Sequence, residues 1–209
     1  MNASRGLRAL SGLLVVTALA SLSGCAFGTR HAELNYPPSK GGADVIATAE
    51  AAGAPAAAGI DVILAVTDMR ASKERIGNVR NGFGMDTANV VTEADIRAWV
   101  EDAFTRELTD AGYVVVPAGS GTGPETAITL GAEVTKVYCD AYLTYDGEVL
   151  MTVTLARQGA PAQVKAYEGS GSVGLSWAAT AKSYGESLSL ALQDGIRQVM
   201  ADLAAYRSP

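Results

Sequence analysis

The chain has 209 residues, 48% of them hydrophobic and 18% charged, and carries a formal net charge of -6. Acidity of this kind excludes nucleic acid as the expected partner, because such binding rests on Lys and Arg neutralising phosphates. With two cysteines and one histidine, neither a disulfide-stapled scaffold nor a His/Cys-rich zinc site is available, and no cofactor is expected.

The chain opens with Arg5 and Arg8, continues through an apolar run from Ala9 to Ala20, and passes small residues up to Cys25. That order of charged, apolar and small-residue zones is a signal peptide. At 1.5 Å per residue a helix of about a dozen residues spans about 18 Å, too short for a hydrocarbon core of about 30 Å. Leu22-Ser23-Gly24-Cys25 looks like a lipobox, so residues 1–24 are expected to be removed and Cys25 acylated. Its thiol is the nucleophile that accepts the lipid, and two or more acyl chains hold a protein stably at a membrane. Cys139 is then left without a disulfide partner, and the fold has to rest on its core.

Residues 25–58 are rich in Ala, Gly and Pro and read as a tether, with Leu34-Asn35-Tyr36-Pro37-Pro38 as a more apolar patch that can dock. Residues 59–209 are expected to form a single α+β domain. Ile60 to Val66 is β-branched and apolar on both sides, which predicts a central strand covered on both faces. Ala71 to Val91, with Gly77, Gly82, Gly84, Asn78, Asn81 and Asn89, reads as a long loop. A helix is predicted over Glu93 to Ala111, where Ile96, Trp99, Val100, Ala103, Phe104 and Leu108 form one stripe, Thr92 is the expected N-cap and Gly112 the C-terminal stop.

Tyr113 to Val116 reads as a strand, and 117–124 as a surface loop. Ile128, Leu130, Ala132 and Val134 alternate with polar or small residues, and Val149, Met151, Val153 and Leu155 repeat the pattern after a turn signal at Tyr145-Asp146-Gly147-Glu148. A further strand near Val164 to Val173 completes a meander. The chain closes on a helix with Leu188, Ala191, Leu192, Ile196, Val199, Met200 and Leu203 on one face, and Ser183 with Glu186 reads as its capping box. The expected fold is α+β: a mixed, largely antiparallel sheet with two amphipathic helices packed on one face.

Few residues offer chemistry. His31 lies in the tether, away from any scaffold that would hold a catalytic base. Gly77 to Gly82 has Walker spacing, but Phe83 stands where the phosphate-binding lysine is needed, and Gly169-Ser170-Gly171-Ser172-Val173-Gly174 sits beside an antiparallel strand with no helix opening from it. Asp140, Asp146 and Glu148 read as a solvated turn, and Cys139 as a small core residue. The strongest candidate surface is the loop from Arg70 to Gly84, where Arg70, Lys73, Arg75 and Arg80 face only Glu74. Such a patch is suited to lipid phosphates or an acidic protein surface.

The signal and lipobox, the strand ending in Asp68 and Arg70, the helix running into Leu108-Thr109-Asp110-Ala111-Gly112-Tyr113-Val114, the strand from Ile128 to Tyr138 and the closing helix together resemble the YajG-like family of envelope lipoproteins. The resemblance implies an outer-membrane, periplasm-facing lipoprotein with an α+β domain and no established catalytic residues. The sequence departs from that pattern in its longer Ala-rich tether and in the Gly/Asn-rich loop after Arg75. The expected function is a non-catalytic binding or adaptor module, with the membrane reached through Cys25 and an envelope protein or anionic lipid as partner. An accessory subunit of a transport or secretion assembly is the alternative. An enzyme acting on cell wall or lipid would need a preorganised polar cluster.

Overall fold

The computed structural model describes residues 28–37, 41–54, 56–119, 126–174 and 181–207. Cys25, the expected signal peptide and residues 120–124 of the expected surface loop lie outside them. Among the described residues eight strands form one mixed sheet: β1 (Gly28–His31), β2 (Asp61–Asp68), β3 (Arg75–Arg80), β4 (Asp86–Val91), β5 (Val114–Pro117), β6 (Ile128–Ala141), β7 (Tyr145–Ala156) and β8 (Gln163–Val173). β6, β7 and β8 are the expected antiparallel meander and carry the longest ladders.

The long strand β6 organises the rest. β7 occupies one edge along its whole length, while the other edge is shared: β2 pairs in parallel with Ile128 to Val134, and β3 in parallel with Cys139 to Ala141. β4 then pairs antiparallel with β3, β1 pairs parallel with β4, and β5 flanks β2. A register shift between Val134 and Lys136 inserts one residue. Because side chains alternate, a one-residue insertion changes which parity faces the core. Accordingly Ile128, Leu130, Ala132 and Val134 are buried before it, and Val137, Cys139 and Ala141 after it.

Among the described residues three helices cover the core: α1 (Gly41–Ala51), α2 (Ile96–Asp110) and α3 (Ala181–Tyr206). α3 lies on β7 and β8, α2 on β2, and α1 packs against both helices. The predicted stripes face inward, and Phe104, Leu108, Leu188, Leu192 and Val199 are fully buried. α2 ends as the sequence predicts. Gly112, at φ 92°, lets its N–H bond Thr109 O at 3.0 Å and Tyr113 N–H bond Leu108 O at 3.0 Å, the paired closure of a Schellman motif.

Several expectations need correction. The stretch read as a tether supplies β1 and α1, and buries Ala32, Tyr36, Ile46 and Ala57. Its small residues bury little area each, but they let the backbone come close: a Cβ on Gly42 would stand 2.8 Å from Glu107 Oε2. The apolar patch within it does dock, through Leu34 and Tyr36. Ala71 to Val91 is no loop but the hairpin β3–β4, whose glycine at 77 is set by a near contact with the Cys139 backbone. The N-cap of α2 is Asp95, which accepts from Ala98 N–H at 3.1 Å, while the Thr92 hydroxyl donates to Ala32 O. Ser183 lies inside α3 rather than capping it. β2 buries alternate residues only, so one face is half covered rather than both being sealed.

Candidate functional site

The connection between β2 and β3 passes beside the β6 bulge, where Met69 N–H bonds Val134 O at 2.8 Å. Arg70, Ala71, Ser72, Arg75 and Thr135 to Tyr138 line a groove of about 340 Å³ there. Here the basic residues singled out in the sequence meet partners. Arg70 is 6% exposed, and its Nε and Nη2 bond the two Asp68 carboxylate oxygens at 3.0 Å each. Burial alone would raise the Asp68 carboxyl, but the hydrogen bonds and charge of Arg70, with help from Lys73, hold it below its ordinary value.

Lys73 Nζ lies 3.3 Å from Asp68 Oδ1, and Arg80 reaches Asp140 at 2.9 Å and Asp86 at 3.5 Å. The expectation of four cations opposed by Glu74 alone is therefore corrected. Counting charges within residues 70–84 missed carboxylates that β2, β4 and β6 bring to the same place. Among the described residues Arg75 makes no ion pair; its Nε donates to Gly77 O at 3.4 Å.

The carboxylates read as a solvated turn sit instead on paired strands. Asp140 and Asp146 are register partners on β6 and β7, and the turn is Tyr142 to Thr144. Asp146 accepts from Thr144 and Ser172 hydroxyls at 2.7 Å each, and Glu148 accepts from Lys136 at 2.6 Å. Cys139 is fully buried, as its placement on a core strand implies. Ser187 donates its hydroxyl to Tyr184 O at 3.0 Å and stands 3.3 Å from Cys139 Sγ, so its oxygen can accept a hydrogen bond from the thiol. Burial, with Asp140 and Asp146 adding to it, pushes the thiol up to about 11 against the opposing Ser187 bond.

The G-x-G-x-x-G run belongs to β8, where its glycines serve helix packing. A Cβ on Gly169 would stand 2.0 Å from Ala191 O, and one on Gly171 2.5 Å from Ser187 O. Gly147 meets Ser187 O in the same way at 2.4 Å, which explains a glycine that the sequence presents as a turn signal. α3 rests on these three positions, and no phosphate-binding turn is formed there.

A second groove, of about 360 Å³, lies between the β1–α1 connection and the first turns of α3. Its lining combines the apolar Pro37, Val173 and Leu190 with the polar Asn35, Lys182, Glu186 and Ser189. Part of this polar lining is already paired: the buried Ser189 hydroxyl donates to the Asn35 backbone O at 2.9 Å, and Lys182 lies 3.3 Å from Glu186. Sequence periodicity gave no sign of it, because Pro37 and Leu190 become neighbours only when the supposed tether folds back on α3. Among the described residues there is no His/Cys/Asp/Glu group suited to a metal, and no helix long and apolar enough to cross a membrane.

A mixed sheet with helices packed against it defines the class as an α+β protein. A family model described as an uncharacterized lipoprotein matches residues 47–204, and the chain belongs to that family, to which the YajG-like resemblance also points. Membership places it among membrane-anchored envelope proteins. A crystal structure of a Xanthomonas campestris protein of the DUF330 family is similar at 14% identity and a TM-score of 0.46, over 85% of this chain and 93% of that one. An uncharacterized protein of known structure is similar at 14% identity and a TM-score of 0.40, over 88% of this chain and 99% of that one. No curated protein matches the chain significantly.

Proposed function

We propose that this lipoprotein is a non-catalytic binding or adaptor module, anchored through acylated Cys25 in the outer membrane and facing the periplasm. The observation that carries the reading is the groove between Pro37 and Leu190. It presents the apolar side chains of Pro37, Val173 and Leu190, while Ser189 is bonded to the Asn35 backbone and Lys182 is paired with Glu186. Concave, mostly apolar sites with a few fixed polar groups are where ligands and partner side chains seat. The clusters that chemistry would need support the same view, since Cys139 is buried and Asp140, Asp146 and Glu148 are each held by a structural partner. The outer membrane is supported by Ala26 at the position after Cys25, where an Asp would direct retention in the inner membrane under the sorting rule of enteric-type lipoproteins.

The test is a photo-crosslinking residue at Leu190 in growing cells, with the same residue at the exposed Val164 as control. The reading predicts a discrete adduct with an envelope component from Leu190 that disappears when Val173→Arg fills the groove, and none from Val164. An adduct insensitive to Val173→Arg, or none at Leu190, would contradict it.

A further inference from the structure

We propose that the end of the sheet built from the β3–β4 and β6–β7 turns rests in the interfacial layer of the same bilayer that holds Cys25. The proposal rests on the reading of Cys25 as the acylated residue and adds an orientation to it.

The first observation is distance along the chain. β1 begins at Gly28, so three peptide units separate its first residue from Cys25, and a chain that short spans at most about 11 Å. The anchor therefore cannot act as a long leash. Gly28 pairs with Ala88 in parallel, which puts the start of β1 at the start of β4, just past the β3–β4 turn. β3 runs alongside the last residues of β6, Gly77 against Cys139 and Val79 against Ala141, so the β6–β7 turn lies at the same end. Tyr142 Oη, in that second turn, donates to Gly82 O in the first at 3.2 Å. The lipid attachment point and both turns thus share one end of the sheet.

The second observation is what those turns expose. Phe83 is 89% exposed, Leu143 62%, Met85 59% and Tyr142 39%. Apolar side chains gathered at one place on a surface mark a contact with a partner or a membrane. The first turn holds its apolar residues outward by its own hydrogen bonds: Asn81 Oδ1 accepts from Phe83 N–H at 2.9 Å and Met85 N–H at 3.1 Å, and Gly84 N–H donates to Asn81 O at 2.8 Å. A tyrosine beside Phe83 suits an interface, with an apolar ring and a polar tip. The ion pairs of Arg80 with Asp86 and Asp140 leave this end without an excess of positive charge, so apolar insertion rather than attraction to anionic headgroups is the mode of contact. A bilayer is the occupant that the short anchor must bring to this surface.

The test uses the full chain, expressed in a bacterium that processes lipoproteins and reconstituted into phosphatidylethanolamine–phosphatidylglycerol vesicles containing nitroxide-labelled lipid. An environment-sensitive fluorophore is placed at Leu143→Cys, or at Val164→Cys as control. Val164 lies nine residues back along β8 from Val173, which flanks the turn end through Tyr145, so it is about 30 Å away. Acylation of Cys25 is verified by mass spectrometry and attachment by flotation. The proposal expects severalfold stronger quenching at Leu143 than at Val164, reduced toward the Val164 level by Phe83→Ser with Met85→Ser. Acylated, vesicle-bound protein with equal or weaker quenching at Leu143, or no effect of the double substitution, overturns the orientation and leaves the anchor standing. A chain whose Cys25 carries no lipid and which does not float overturns both.

Discussion

Tyr36 Oη donates a 2.7 Å hydrogen bond to Glu107 Oε1, joining residues 71 positions apart. The second carboxylate oxygen accepts from Gly42 N–H at 2.8 Å, at the first turn of α1. Glu107 is 2% exposed, so a buried carboxylate on α2 fastens the segment that composition alone assigns to a tether. A negative group at a helix N-terminus also satisfies a backbone donor that has no partner within the helix.

Removing that carboxylate is expected to be costly. Hydrogen bonds to charged groups contribute about 1.5 to 3 kcal/mol, and Glu107→Ala removes both of these bonds, so a loss of about 3 kcal/mol is predicted. Glu107→Gln should cost less, because its oxygen still serves Gly42 N–H and its amide can donate to the Tyr36 hydroxyl. Chemical denaturation of the three proteins checks the order. Equal stability of wild type and Glu107→Ala would mean that residues 36–42 do not depend on this contact.

Phe104 and Leu192 sit at the centre of the α2 and α3 faces and are fully buried. Phe104→Ala and Leu192→Ala are each predicted to lose about 2 to 5 kcal/mol through lost transfer energy and a residual cavity. Losses below about 1 kcal/mol at both positions, measured by the same denaturation, would contradict the placement of the stripes.

How far the sequence revealed this architecture depended on whether burial came from large or small residues. α2, α3 and the meander were legible because Leu, Ile, Val and Phe recur at helical or strand period. The parity change at Thr135 was also written in the sequence, as Val134 followed by Val137, Cys139 and Ala141. α1 and β1 were not legible, since Ala and Gly carry little hydropathy and their packing value lies in close approach. The β3–β4 hairpin was missed despite Asn81-Gly82 between β-branched runs, a turn signal obscured by the surrounding glycines. Of the candidate site, the fate of Arg70, Lys73 and Arg80 depended on carboxylates from other strands. The Pro37–Leu190 groove and the shared exposure of Phe83 and Leu143 depend on tertiary neighbours.

Acid sensitivity should follow Asp68 and Asp202. For Asp202, burial acts to raise the carboxyl, but hydrogen bonds from Lys165 at 2.6 Å and Tyr167 at 2.7 Å outweigh it and hold it low. Both carboxyls therefore titrate below the ordinary 3.8 when folded. A lowered folded value contributes stability that is present above the unfolded value and lost as pH falls through the folded one. Melting temperature is predicted to drop steeply below about pH 4, and Asp68→Asn with Asp202→Asn to flatten that decline while lowering stability at neutral pH. An unchanged acid limb in the double variant would contradict the assignment.

Cys139 should resist modification in the folded protein. A thiol raised from 9.0 to about 11 has about 100-fold less thiolate at pH 8 than an ordinary one, and burial blocks access as well. Iodoacetamide is predicted to label it only after denaturation. Rapid labelling of the native protein, followed by mass spectrometry, would show that α3 opens over β6.

The anchor itself is tested most directly by metabolic labelling with a radioactive or clickable fatty acid in cells that express the wild type or Cys25→Ser. The account predicts label on the wild-type protein and none on Cys25→Ser, which should accumulate uncleaved or soluble. Continued incorporation of label into Cys25→Ser would contradict it.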